Sequence, residues 1–196
     1  NMTGRFHKSW GDFGGIRTRA SLEYDCLYGV ANGTGTTIGD HFHPRGDINR
    51  AVASLDAAIY KRLQTLDPWT DGAVPLTDLA VVMTNPYCGL QHQAPRDAAA
   101  YTREWHGVCA ATRMLCELKQ QFDVVSHAAA WDSYPLLILP DHTPMEPETV
   151  RRLTAHLASG GRILASAHAG LEADGKAFVF PEWGVACAGE SPYDPA

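Results

Sequence analysis

The stretch Thr36-Thr37-Ile38-Gly39-Asp40-His41-Phe42-His43-Pro44-Arg45-Gly46-Asp47 opens with β-branched residues and then turns polar. A carboxylate, two imidazoles and a guanidinium within six residues can bind hydroxyl groups, move protons or hold a metal. His41 and His43, two apart, share a face if the chain is extended and could take a metal with Asp40. Pro44 directly after them favours a loop, and no third histidine completes a zinc spacing, so no metal is expected here. Asp40 either contacts a ligand or caps a turn through loop amides. Arg45 either contacts a ligand or pairs with Asp47. Upstream, Trp10-Gly11-Asp12-Phe13-Gly14-Gly15 holds a second carboxylate, Asp12, in a setting that favours turn formation.

A second place to look for chemistry is the run after Arg162-Ile163-Leu164-Ala165. A thiol enzyme of the glutamine amidotransferase kind needs a cysteine on a tight elbow after a strand, with a histidine beside it. Here the sequence reads Ser166-Ala167-His168-Ala169-Gly170, without cysteine and without the G-x-S-x-G context of a serine nucleophile. Cys88, in Pro86-Tyr87-Cys88-Gly89, is the one cysteine placed as a loop nucleophile would be, and it is read as structural or incidental. The other cysteines, Cys26, Cys109, Cys116 and Cys187, form no C-x-x-C pair, and five is no disulfide framework. Cys109 and Cys116, seven apart in a helical segment, are expected on one face and in the core.

The elements that must position these groups fall into two blocks. In the first, a strand over Arg5–Lys8 leads into the Trp10–Gly15 turn. A helix over about residues 20–31 follows, stopped by Asn32-Gly33, then the strand ending at Asp40. Asp47 or Asn49 caps a helix whose Val52, Leu55, Ile59, Leu63 and Leu66 form one stripe. Turn formers from Thr70 to Asp78 read as a linker. In the second block the strands Leu79–Met83, Phe122–Val125, Leu136–Leu139 and Arg162–Ala165 are short and apolar. They alternate with a helix carrying Tyr101, Trp105, Val108, Ala111, Leu115, Leu118 and Phe122 at helical spacing and with one begun by Pro147. Residues 84–96 are expected to lack regular structure. Such alternation predicts an α/β fold, an open parallel sheet with helices on both faces.

A 196-residue chain with 45% hydrophobic and 19% charged residues can bury a core. A net charge of −6 provides no basic footprint for nucleic acid and no attraction to an anionic membrane. No apolar run reaches membrane-span length, and the sequence shows no signal-peptide pattern, so a cytoplasmic location is expected and the Asn32-Gly33-Thr34 sequon carries no weight.

The residues RFHKSWGDFGG, then IGDHFHPRGD, then a helix ending at DPW resemble the last two strand–helix units of the barrel in a group of glycoside hydrolases. The second block, with FDVV, LLILPDH and SGGRILAS, is similar to the β-galactosidase trimerisation domain that follows the barrel in family 42 and its relatives. That domain has a fold like the class I glutamine amidotransferases, which is flavodoxin-like. The resemblance implies a partial (β/α) barrel end over 1–70 and an amidotransferase-like domain over 71–196. It also implies a longer parent enzyme, with about six of eight barrel strands outside this chain. Barrel active sites gather at the C-terminal ends of strands, so Asp40, His41, His43 and Arg45 would meet a carbohydrate substrate, with Trp10 as a ring face for sugar. Asp12 and Asp40 would be candidates for the two carboxylates that flank a glycosidic bond. The parent would hydrolyse a β-galactoside without a cofactor, the fragment alone being inactive and the second domain a silent homo-oligomerisation scaffold. Trp131, Tyr134, Phe178, Phe180 and Trp183 either supply its assembly surface or pack under loops. A non-catalytic carbohydrate-binding or assembly module is the alternative.

Overall fold

The computed structural model describes residues 1–84, 98–172, 174–189 and 193. It divides into two compact units, residues 1–75 and 76–196.

In the first unit, strands β1 (Met2–Gly4) and β2 (Thr37–Gly39) pair in parallel with Met2 opposite Thr37 and Gly4 opposite Gly39. The first strand is earlier than the sequence pattern suggests: the Arg5 N–H still donates to the Gly39 carbonyl, but the Arg5 carbonyl accepts from Arg17 of the following loop, and the pairing ends there. Helix α1 (Arg19–Ala31) starts where the Thr18 side chain accepts the Ser21 N–H and ends at Asn32, with Gly33 following at φ 73°. Asn49, not Asp47, caps α2 (Arg50–Gln64), accepting from the N–H groups of Ala51 and Val52. A short helix, α3 (Asp67–Thr70), closes the unit. Leu22 and Cys26 of α1 and Ile59 and Leu63 of α2 make one buried cluster, with Ile38 of β2 packed against it. The two helices therefore cover a single face of the two-stranded sheet.

The second unit holds β3 (Leu79–Val82), α4 (Ala98–Glu117), β4 (Phe122–Val125), β5 (Leu136–Leu139), α5 (Pro147–Ala158) and β6 (Arg162–Ala165). Its sheet is parallel throughout in the order β4-β3-β5-β6, so the chain reverses direction of growth between β3 and β5. Val81, Met83 and Ile138 face α4 through Val108 and Leu115. Ala80, Val82, Leu137 and Leu139 face α5 through Leu153. Short apolar strands buried on both faces are what this two-sided cover demands. The chain is thus an α/β protein with parallel sheets, as expected.

Two expectations change on this face of the unit. Cys109 and Cys116 are exposed, since both lie to one side of the buried Val108–Leu115 stripe. Trp105 and Leu118 also leave that stripe, at 44% and 66% exposure. The aromatic cluster resolves the other way. Trp131 and Phe180 are buried in the α5-side core with Tyr134 and Trp183 packed against them, so these rings hold loops to their own domain. The loop expected over 84–96, and Cys88 within it, lie outside the described residues beyond Thr84.

At the start of α5, Glu148 sits between Arg151 and Arg152, at 2.7 Å from each. Hydrogen bonds from Arg151 and then Arg152 pull its carboxyl down to about 2. A depressed carboxyl gives stability that is present above its unfolded value and lost as pH falls through the folded one. The α5 start is therefore expected to loosen between about pH 4.5 and 2, seen as a Glu148 side-chain NMR titration midpoint near the lower value. Arg151→Gln should move that midpoint upward.

Candidate functional site

Strand alternation sorts the first unit's polar groups into two sets. Thr3, Arg5, Ile38 and Asp40 point toward the helices. Thr3 Oγ1 donates to Asp25 of α1, and Ile38 joins the α1–α2 cluster. Met2, Gly4, Thr37 and Gly39 point to the opposite, open face. The loop after each strand then adds its own groups.

On the helix side, Arg5 is buried at 6% exposure. Its Nε donates to Asp40 Oδ1 at 2.6 Å, and its Nη1 donates to the carbonyls of Phe13 and Gly15 at 2.9 and 2.6 Å. Asp40 Oδ1 also accepts the His41 N–H at 2.7 Å. Asp40 thus anchors the loop at the end of β2 to the loop at the end of β1. Arg5 is the residue that sequence reading passed over; a lone arginine beside a short strand carries no spacing signal.

Asp56 of α2 faces the same pair. Burial, then the charge of Asp40, push its carboxyl above the ordinary value, with Arg5 pulling the other way. Its Oδ1 is buried without a partner. A carboxyl raised in the folded state binds protons that the unfolded chain has lost, so stability falls as pH rises from about 3.8 through the folded value. Asp56→Asn, which cannot ionise, is expected to stabilise by about 1 kcal/mol at pH 7 and by nothing near pH 3, measured by urea denaturation at both.

The open side is aromatic. Trp10 lies over Gly39, where an added Cβ would stand 2.1 Å from Trp10 Cη2, and close to Gly4, where it would stand 3.5 Å from Trp10 Cζ2. Glycine at both strand ends makes room for the indole. Gly39→Ala is therefore expected to push Trp10 off the sheet, with loss of near-ultraviolet circular dichroism and about 1–3 kcal/mol of stability. The His41 ring packs on Phe6 and Phe13, with centroids 4.4 and 4.5 Å away, and Trp10 is at 6.2 Å. Its Nδ1 is buried and unpartnered. The tautomer with its hydrogen on Nε2 leaves only a lone pair at the dry Nδ1 and makes Nε2 a donor.

The remaining candidates form local turns. Asp12 accepts the Lys8 N–H at 3.3 Å, and its carboxylate fills the space where a Gly15 side chain would be. His43 Nδ1 accepts the Arg45 N–H at 3.3 Å and lies 3.6 Å from Asp47, which Arg45 approaches at 3.4 Å. His43, Arg45 and Asp47 are all more than half exposed. The structure thus brings the Trp10 and His41 rings together, ties Asp40 to Arg5 and to the His41 N–H, and holds Asp12 and the His43–Asp47 turn by local contacts of their own. Among the described residues no three His, Cys, Asp or Glu side chains gather at metal-binding distance.

In the second unit, loops at the carboxyl ends of β5 and β6 border an open cleft of about 690 Å³, lined by His142, His168, Glu146, Glu172 and Arg103 among others. Open parallel sheets place their crevices at these strand ends. The His142 and His168 rings stack with centroids 5.0 Å apart. His142 and Ala167 sit at φ 65° and 44°, left-handed positions that non-glycine residues seldom take. Ser166 Oγ donates to the Asp141 carboxylate rather than to His168. Ser166 and His168 therefore form no nucleophile–base pair.

Residues 92–180, spanning α4 to Phe180, match the family of the beta-galactosidase trimerisation domain. The second unit is similar to this domain family over most of its length. Across 92% of its length it is similar to alpha-L-fucosidase isoenzyme 2 from Paenibacillus thiaminolyticus, at 34% identity and a TM-score of 0.75. The cold-adapted beta-galactosidase from Rahnella sp. R3 aligns over 83% of the chain at 16% identity and a TM-score of 0.58. The beta-galactosidase from the psychrophilic Marinomonas ef1 aligns over 77% at 14% identity and 0.52. The last two likenesses are of fold. The chain spans 26% of the length of each of these three proteins. No curated protein matches the sequence.

Proposed function

We propose that the chain is a portion of a glycoside hydrolase, in which the first unit contributes two strand–helix units of a (β/α) barrel and the second is an assembly domain. The 34% identity to an alpha-L-fucosidase across 92% of this chain is the observation that carries the proposal. The open sheet face of the first unit becomes the barrel interior in this reading, and Trp10 and His41 stand at the strand ends where such barrels keep their substrates. The indole offers a face to the apolar side of a sugar ring, and His41 Nε2–H donates to a hydroxyl. Asp40, held by Arg5, and Asp12, held in its turn, position the two loops. The reacting carboxylates then come from other strands of the parent barrel, whose separation decides retention or inversion.

The substrate proposed first is a terminal α-L-fucoside, because the higher identity is to a fucosidase; a β-galactoside, suggested by the domain family, is second. The test is hydrolysis of aryl α-L-fucoside and aryl β-D-galactoside by the longest native chain containing this segment. Turnover of either supports the reading, and turnover of neither by a folded protein overturns it. The 196-residue chain alone is expected to hydrolyse neither. The second unit's name-giving role in its family leads us to propose homo-oligomerisation, with neither a membrane nor a nucleic acid as partner.

A further inference from the structure

The cleft at the carboxyl ends of β5 and β6 is held in shape against backbone preference. Each loop leaves its strand through a left-handed residue that is not glycine, His142 at φ 65° after β5 and Ala167 at φ 44° after β6. Ser166 Oγ donates to the Asp141 carboxylate and ties the two loops together. Each turn then closes on itself, the Thr143 N–H donating to the Pro140 carbonyl and the Ala169 N–H to the Ser166 carbonyl. In consequence the His142 and His168 rings stand side by side, 5.0 Å apart with 14° between their planes. Strained positions of this kind concentrate at ligand clamps, and the ends of parallel strands are where open sheets place their ligands.

The polar groups around the cleft are left open. Arg103, His142, Glu146, His168 and Glu172 all line it. Beyond the ring stack, none of these five side chains has a hydrogen bond or ion pair among the described residues. Elsewhere in the same unit opposite charges close on each other. Arg113 pairs with Glu117 along α4, and Arg151 and Arg152 both take Glu148, two residues after Glu146.

Two carboxylates and one guanidinium around one opening disfavour a simple anion and a simple cation alike, since either meets a like charge. A neutral ligand rich in hydroxyl groups suits all of them. Its hydroxyls donate to Glu146 and Glu172 and accept from Arg103, while a neutral imidazole offers one donor and one acceptor nitrogen. Met145 and Leu171, also on the lining, supply apolar surface for the C–H face of a sugar ring.

We propose that this cleft is a saccharide-binding site of the second unit. Glu146, Glu172 and Arg103 take the sugar hydroxyls, and the two stacked imidazoles form a wall beside them. The proposal rests on the lining chemistry, not on the barrel reading of the first unit, and gives the second unit a ligand of its own.

The test follows the reaction of His142 and His168 with diethyl pyrocarbonate, read by peptide mass spectrometry on the longest native chain containing this segment. His106 of α4, exposed and outside the cleft lining, is the internal reference. The probes are L-fucose, D-galactose, inorganic phosphate and glycine. The expected result is that saturating fucose or galactose slows both cleft histidines by at least about fivefold and leaves His106 unchanged, because bound sugar removes the reactive form by mass action. Glu172→Gln and Arg103→Gln, both at exposed positions, should each weaken that protection. Phosphate or glycine protecting as well as either sugar would make this an anion or zwitterion site and overturns the proposal. So does the absence of protection by either sugar, or sugar protection that both variants retain. The wild-type comparison decides even if a variant fails to fold. Aryl glycoside hydrolysis on the same sample separates this inference from the glycoside hydrolase reading. Turnover without protection overturns the cleft alone, and protection without turnover overturns that reading and leaves the cleft standing.

Discussion

Arg5→Met is expected to lower the stability of the first unit by about 3–5 kcal/mol in urea denaturation. The guanidinium is buried, and it serves three acceptors from two loops: the Asp40 carboxylate and the Phe13 and Gly15 carbonyls. It also lies over the Phe6 ring, 4.6 Å from the centroid. Methionine fills much of the stem's volume but leaves a half-buried carboxylate with only the His41 N–H and leaves two carbonyls unmet. Breaking a buried pair from one side is what makes such a change severe. Removing both charges, as in Arg5→Met with Asp40→Leu, should therefore recover part of the loss. Arg5→Lys should not, because one ammonium cannot present a planar fork to three acceptors in different directions. If Arg5→Met costs less than about 1 kcal/mol, the loops are held by other contacts and Asp40 loses its anchoring role.

The α/β alternation was legible because apolar strands of four residues and amphipathic helices leave period signals that survive in a single sequence. Phe122–Val125, Leu136–Leu139 and Arg162–Ala165 are strands with the same bounds as their apolar runs. Asn49 as cap and Asn32-Gly33 as stop follow from side-chain and backbone chemistry local to each helix end. What escaped reading depends on neighbours distant in sequence. Arg5 matters because Asp40, thirty-five residues on, ends the adjacent strand. Cys109 and Cys116 do share a helix flank, but periodicity alone could not say that the flank lacks cover. The polarity of the Asp40–Asp47 stretch was visible, while the side of the sheet each group faces was not. That requires knowing which strand residues meet the helices, and Ile38 decides it.

If the chain belongs to the glycoside hydrolase proposed above, the opposed facing of Asp40 and His41 makes their substitutions diverge in that enzyme. His41→Ala is expected to lower kcat/KM by roughly a hundredfold, a loss of about 2.7 kcal/mol of transition-state binding, with little change in stability. The ring lies among Phe6, Phe13 and Trp10 on the open face, and its Nε2–H is the donor that alanine removes. His41→Gln, which keeps a donor on a side chain of similar reach, should restore part of that loss. Asp40→Asn is expected to do the reverse. Its carboxylate binds Arg5 and faces α2, so the amide weakens the loop anchor and lowers stability, while the folded enzyme keeps turnover within about tenfold of wild type. A general acid, base or nucleophile would behave otherwise, losing about 10²–10⁴ in kcat with the fold intact. The pair of measurements, kcat/KM on the folded fraction and urea stability for each variant, separates the roles. An Asp40→Asn enzyme that is fully stable and almost inactive would place Asp40 at the reacting bond, and would require its carboxylate to leave Arg5 when the rest of the barrel closes around substrate.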